Sequence, residues 1–435
     1  NQLHLHLTDD QGWRMEIKRY PKLTSVGSVR NGTLIGRFPG KGYDNIEHKG
    51  FYTQEQLKAL VQYAKDRHIT VIPEIELPGH SSSAIAAYPE LSCSPSGVKE
   101  VQKTWGVFND VFCPTDFTFQ FIQNVLDEVM EVFPSQYIHI GGDECPKESW
   151  KQSSFCQELI KREGLKDEHG LQSYFIQRVE KYINAKGRKI IGWDEILEGG
   201  LAPNATVMSW RGISGGVEAA KQMHDVIMSP VDNCYLNLYQ SEDPSDSIAW
   251  GGLTPLKKVY EYNPIPAVLK TDERKYIKGV QANLWTEYIK TPALAEFMLF
   301  PRLLAIAECG WTANKPGFEN FTERVANQFP RLKQMGINHS SHLYELSLKQ
   351  QFISEERKLR FELWGTPKGK NLQYQLNGQS VQNYNGPFTV DGAGIIKVMA
   401  RLNGVQTDAI YNHYNINLAS GKALSMKDKA DPPYQ

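Results

Sequence analysis

The chain has 435 residues, 40% of them hydrophobic and 22% charged, the make-up of an ordinary globular protein and not of a disordered or collagen-like one. Lys and Arg number 48 against 49 Asp and Glu, a formal net charge of −1, so the basic excess that favours nucleic acid or an anionic surface is missing and no nucleic-acid partner is expected. No apolar run approaches the roughly 20 residues needed to cross a bilayer, which removes a membrane-spanning segment.

At about 150 residues per domain, this length suits three domains, or one large barrel with additions. The chain opens on Asn1 inside an alternating run, Leu3, Leu5 and Leu7, which reads as a strand without its lead-in. Any targeting signal would lie upstream. Thr53 begins a capping box with Gln56, and Leu57, Leu60, Val61 and Ala64 continue it as an amphipathic helix. Near-continuous apolar runs follow at Ile69–Ile75, Tyr137–Ile140, Lys189–Trp193, Thr206–Trp210, Val226–Met228 and Gly279–Trp285, a pattern that suits parallel strands covered on both faces. Helical stripes separate them, such as Phe121, Val125, Val129, Val132 and then Tyr174, Ile176, Val179, Ile183. Pro292 opens a long apolar helix predicted through Ile306, and Phe321–Met335 forms the last one.

Seven strands alternating with helices predict a (β/α)8 barrel that lacks its first strand–helix unit in this chain. An open doubly wound sheet would bring a GxGxxG or GxxxxGK[ST] turn, and neither occurs. The barrel is placed at residues 1–345. Residues 346–435 carry Asn377-Gly378, Asn385-Gly386-Pro387 and Asp391-Gly392 turns between alternating runs, and are expected to form a small antiparallel, sandwich-like β module. Six cysteines show no CxxC; Cys93 and Cys113 flank one loop, either as a disulfide or as thiols.

Barrel active sites form at strand C-terminal ends. Here those ends carry Asp9, His80, Asp143, Glu144, Trp193, Glu195, Trp210, Tyr235, Asn237, Trp285 and Glu287. Asp143 and Glu144, confined together, would repel, raising one pKa until it serves as a proton donor. Gly141 and Gly142 let the backbone bend so that both acids face one cleft. Three tryptophans at equivalent ends suit a flat ligand with apolar faces and a hydroxylated edge, as a sugar is, although core packing is the usual fate of any one indole. His4, His6, His80 and His139 lack HExxH or comparable spacing, and no metal and no cofactor is expected.

The segments His139-Ile-Gly-Gly-Asp143-Glu144, His4-Leu-His-Leu-Thr-Asp9-Asp10-Gln-Gly-Trp13-Arg14, Glu76-Leu-Pro-Gly-His80, Gly192-Trp193-Asp194-Glu195 and Asn283-Leu-Trp285-Thr-Glu287 closely resemble the family 20 glycoside hydrolases, the β-N-acetylhexosaminidases. Tyr384-Asn-Gly-Pro-Phe388-Thr is similar to the C-terminal module of some bacterial members. The resemblance implies an exo-acting enzyme that releases terminal GlcNAc or GalNAc from glycans, with retention and without an enzyme nucleophile. The substrate's acetamide oxygen attacks C1 to form an oxazolinium ion. Glu144 is implied as acid and then base, and Asp143 as the group orienting the acetamide. Tyr235 is implied as donor to the acetamide oxygen, with Trp193, Trp210 and Trp285 as walls. Asn237 and Glu287 are implied to hold distal hydroxyls, and Asp9 with His80 to order the Glu144 side. The family's sugar-clamping arginine would lie on the missing first strand, and Asn237 stands where many bacterial relatives have Asp. Two other readings stay open: a conventional retaining glycosidase using Glu195 or Glu287 as nucleophile, and a non-catalytic sugar-binding barrel.

Overall fold

The computed structural model describes residues 1–94, 100–242, 246–343, 346–365, 372–402, 405–417 and 420. The chain packs as two compact units, Asn1–Cys234 with Asn263–Gln281, and Tyr235–Tyr262 with Ala282–Gln435.

The first unit holds seven parallel strands: β1 (Gln2–His6), β2 (Thr70–Leu77), β3 (Tyr137–Gly141), β4 (Lys189–Trp193), β5 (Thr206–Ser209), β6 (Val226–Met228) and β7 (Ile277–Val280). Each is hydrogen-bonded to the next in chain order. In a flat sheet, six steps of about 4.8 Å would put β1 roughly 29 Å from β7. Instead Gln281 Nε2, one residue past β7, lies 3.1 Å from His4 Nδ1 of β1 and 3.3 Å from Met208 Sδ of β5. The sheet therefore curls, and the fold is α/β and barrel-like. Its helices of eight residues or more are α1 (Gln54–Lys65), α2 (Asp116–Val132), α3 (Ser154–Arg162), α4 (Glu168–Ala185) and α5 (Ser214–Lys221). The Thr53–Gln56 capping box forms as read, with both reciprocal bonds in place. The α2 stripe Phe121, Val125, Val129 and Val132 is buried throughout.

Two expectations are corrected. The last strand ends at Val280 and does not run to Trp285, because its partner ends at Met228, where Pro230 and the helical turn Val231–Cys234 divert the chain. The long helix from Pro292 is two helices, α7 (Pro292–Leu299) and α8 (Arg302–Trp311) in the second unit. Pro301 forces the break: it has no N–H to donate, and it drives Phe300 to an extended φ of −100° and ψ of 134°.

The second unit also contains α6 (Leu256–Glu261), α9 (Phe318–Gln334) and two antiparallel sheets. One pairs Leu346–Ile353, Lys358–Gly365 and Phe388–Val390; the other pairs Gln382–Asn383, Leu372–Leu376, Ala393–Leu402 and Val405–Asn415. They share a core of Leu346, Leu359, Phe361, Leu363, Ile396 and Val398 among others. The end of the chain from residue 421 lies outside the described residues. All six cysteines are thiols.

Phe361 is fully buried, with its ring 5.8 Å from Phe388 and 5.3 Å from Tyr414. Phe361→Ala is expected to cost about 3–5 kcal/mol in the stability of the module that contains it, read by urea denaturation.

Candidate active site

β3 ends in the turn that carries the acidic pair. Gly141 and Gly142 have φ of +67° and +93°, and Glu144 follows at +41°. A Cβ on Gly141 would stand 1.7 Å from Glu76 Oε2, and one on Gly142 would stand 2.4 Å from the Ile196 side chain. Both backbone conformation and close approach therefore require glycine, and the bend read from the sequence is present. Glu144, an L-residue in the left-handed region, holds strain of order 1–3 kcal/mol, as functional turns often do.

β2 supplies the partner turn. His80 also has positive φ, +47°, and a Cβ on Gly79 would come within 2.9 Å of the Asp143 carbonyl oxygen, so the two turns are in backbone contact. The His80 Nδ1 lies 3.1 Å from Asp10 and 3.2 Å from Asp9, while its Nε2 lies 3.6 Å from Asp143 and 3.5 Å from Glu144. Burial alone would push the imidazole pKa down; Asp9, Asp10 and Asp143 outweigh it, and the net position is well above the ordinary histidine value. His80 is thus a cation at neutral pH, and Asp9, Asp143 and Glu144 are brought together around it. Asp10 completes the ring of acids, and its other oxygen accepts from the Ser82 N–H at 2.8 Å.

Adjoining these turns through Glu76 is a buried network that sequence reasoning left without a role. Glu74 lies 2.8 Å from His139 Nδ1, 2.9 Å from His4 Nε2 and accepts from Trp193 Nε1–H at 2.9 Å. The charges of His139, then His4 and His6, outweigh the burial of Glu74 and hold its carboxyl well below the usual range. Glu76 is the opposite case. Burial first, then the charges of Asp143 and Glu74, place it well above the ordinary carboxylate value, so that it holds a proton. The sets His4–Glu74–His139, His6–Glu74–Glu76 and Asp9–Asp10–His80 each bring ligand atoms within 4.8 Å, as a cation would need, and each is already knitted by His–carboxylate pairs.

Trp193 is 1% exposed, its indole N–H on Glu74 and its ring 4.9 Å from His139, so it is buried and not on the surface. Trp210 is half-buried and donates its indole N–H to Glu195 at 2.9 Å. Burial and the nearby Asp143 charge push Glu195 up to about 8.

In the second unit, Asn237, Trp285 and Glu287 border a pocket of about 230 Å³, open solvent included, together with Trp250, Tyr288 and Met298. Tyr235 packs its ring 6.4 Å from Trp285, and the Leu236 N–H donates to the Asn283 carbonyl at 2.7 Å. Asn237 Oδ1 is buried without a hydrogen-bond partner among the described residues. The segment is held from behind by Arg302, which is fully buried and donates to the carbonyls of Leu236, Leu238, Thr254 and Met298 at 2.6–3.2 Å. Sequence reasoning missed it. Its signal was an arginine inside the otherwise apolar stretch that starts α8.

The model of the glycosyl hydrolase family 20 catalytic domain matches residues 1–314. The chain is 48% identical over 401 residues to a β-hexosaminidase of Porphyromonas gingivalis, covering 90% of this chain and 49% of that one. It is 38% identical over 320 residues to a β-hexosaminidase of Vibrio furnissii, covering 73% and 52%. The chain thus spans about half the length of these relatives. Among solved structures it is similar to the exo-β-N-acetylglucosaminidase from Vibrio harveyi in complex with N-acetylglucosamine, with TM-score 0.69 and 33% identity over 78% of this chain and 54% of that one.

Gly141→Ala should cost at least about 2 kcal/mol, from left-handed strain plus the overlap with Glu76, and equilibrium denaturation measures it. A second expectation concerns pH. A folded-state pKa raised above the unfolded value contributes stability that is complete below the unfolded pKa and is lost as pH rises through the folded one. For Glu76 the loss therefore begins at about pH 4.3, and for His80 at about 6.5. Urea midpoints measured at about pH 5 and about pH 7 should fall for the native protein and fall distinctly less for Glu76→Gln, whose amide has no proton to lose.

Proposed function

The chain belongs to glycosyl hydrolase family 20, and from that premise we propose that it removes terminal β-linked N-acetylhexosamine, GlcNAc or GalNAc, from glycans by a retaining, substrate-assisted route. Asp143 carries the reading. Its Oδ1 is buried with no hydrogen-bond partner among the described residues, an acceptor left for a donor that the substrate brings. The acetamide N–H of the sugar is such a donor. Held there, the acetamide is aligned so that its carbonyl oxygen attacks C1 as the glycosidic bond breaks, giving the cyclic oxazolinium ion.

Glu144, about one-third exposed beside Asp143, gives its proton to the leaving oxygen. It then takes a proton from the water that opens the ring. His80 Nε2, 3.5–3.6 Å from both acids, holds the two carboxyl groups side by side. Trp193 and Trp210 are proposed to shape the floor and wall against which the sugar ring packs. In the second unit, the pocket bordered by Asn237, Trp285 and Glu287 is proposed to take sugar hydroxyls and a sugar face, with Tyr235 donating to the acetamide oxygen. An eighth strand–helix unit carrying the sugar-clamping arginine, and export of the protein to meet its glycans, belong to the same proposal. The eighth unit is supported by the count of seven curled strands among the described residues.

The conventional route with Glu195 as nucleophile is disfavoured by one observation. A nucleophilic carboxyl must be ionised near neutrality, and Glu195 is pushed up to about 8 with one oxygen committed to the Trp210 indole.

With an N-acetylated disaccharide as substrate, Glu144→Gln should lower kcat about 10²–10⁴-fold while a thiazoline mimic of the cyclic ion still binds. Asp143→Asn should reduce kcat much more than it raises KM, since its contact strengthens as charge develops. Undiminished turnover by Glu144→Gln, or equal rates on plain β-glucosides, would refute the substrate-assisted reading.

A further inference from the structure

Three thiols lie together in the first unit, outside the site described above. Cys93 Sγ is 3.4 Å from Cys156 Sγ, and these two and Cys113 Sγ all lie within 4.8 Å of one another. They come from three separate stretches, held in place by backbone bonds. Cys93 follows the turn Pro89–Leu91, and the Cys113 N–H donates to the Leu91 carbonyl at 2.7 Å. Cys156 is the third residue of α3, its N–H donating to the capping hydroxyl of Ser153 at 3.3 Å, and the Trp150 indole donates to the Phe112 carbonyl at 3.0 Å. Cys113 and Cys156 are buried, and Cys93 is half-buried. Val111, Trp150, Leu159, Ile160 and Leu171 pack around the sulfurs.

We propose that this triad is a redox modification site, in which Cys93 and Cys156 form a disulfide by exchange with a small-molecule disulfide. The three members differ in a way that divides the work. Cys93 is the one with access to solvent, so it is the sulfur that meets the oxidant. Cys156 sits in the first turn of a nine-residue helix, where the dipole favours an anion, and the S–H groups of Cys113 and then Cys93 donate to it, pulling its thiol down to about 4. Cys156 is the resolving nucleophile.

Cys93, the member that water reaches, gives its proton to solvent as its sulfur attacks the disulfide RSSR, forming Cys93–S–S–R and expelling RS⁻. That RS⁻ takes a proton back from solvent and leaves as RSH. The Cys156 thiolate then attacks Cys93 Sγ and expels the second RS⁻. Two electrons pass from the protein to RSSR, one protein S–S bond forms and one small-molecule S–S bond breaks. A soft cation held by three thiolates is the competing use of such a triad. It would leave net negative charge in an apolar shell, whereas the disulfide is neutral, and burial therefore favours the disulfide.

The test treats the reduced, folded protein with oxidised glutathione without oxygen, then denatures it, alkylates it and maps peptides by mass spectrometry. The expected product has lost two hydrogens, contains a Cys93–Cys156 crosslink, and leaves the other four cysteines alkylated. Its thermal midpoint should rise by several degrees and fall back on reduction, because the link closes a long loop in the unfolded chain. Cys93→Ser, a change at the half-buried member, should abolish the reaction, and Cys156→Ala should arrest it at a glutathione adduct on Cys93. An unchanged mass of the folded native protein, a crosslink to any other cysteine, or one tightly bound zinc or copper ion per chain that blocks the exchange would overturn the proposal.

Discussion

One imidazole among four carboxylates governs the rim of the first unit. Asp9, Asp10, Asp143 and Glu144 come from the ends of two different strands, and each has an oxygen within 3.6 Å of a His80 nitrogen. Unit charges 4 Å apart interact by about 4 kcal/mol at an effective dielectric of 20, so four acids gathered without a cation would drive the turns apart. With the cation at their centre, the crowding that would destabilise the rim becomes what aligns it. The backbone follows the same demand. Gly79 must be glycine-small for the two turns to touch, and His80 and Glu144 accept left-handed conformations so that their side chains face each other.

The protonation pattern follows from depth. Glu74 and Glu76 are both fully buried on one strand, two residues apart, yet they go opposite ways. Glu74 has the His139 and His4 rings beside it, 2.8 and 2.9 Å away, and accepts from the Trp193 indole N–H, and the histidine charges stabilise its own. Glu76 faces the like charges of Asp143 and Glu74, and the cheaper state is the neutral one. A neutral Glu76 adds no second charge beside Asp143. Arg302 applies the same logic in the second unit: a buried charge is tolerated because four backbone carbonyls saturate its donors, and in return it fixes the segment that carries Tyr235 and Asn237.

Much of this was legible in the chain. The seven strands, the Thr53 capping box and the Gly-Gly bend before Asp143 depend on local chemistry: burial period, reciprocal caps, and a residue type that tolerates positive φ. The two misreadings have different causes, one a strand partner distant along the chain and the other a proline within the expected helix. The strand expected to reach Trp285 stops where its partner stops, and apolar periodicity across Phe300 concealed that Pro301 ends one helix before the next begins. Glu74 and Glu76 look alike in sequence, and only their surroundings separate them. Cys93 and Cys113 could be read as flanking one loop, but nothing local announces that Cys156, 43 residues beyond Cys113, joins them within a few ångströms.

By itself, then, the sequence determined which residue types stand at each strand end, because strand period, capping and turn chemistry are set within a few residues. Tertiary structure alone decided which of those groups carry charge, which are buried props and which keep an acceptor open. Those properties depend on the dielectric and the partners supplied by other segments, and a chain's local pattern contains neither.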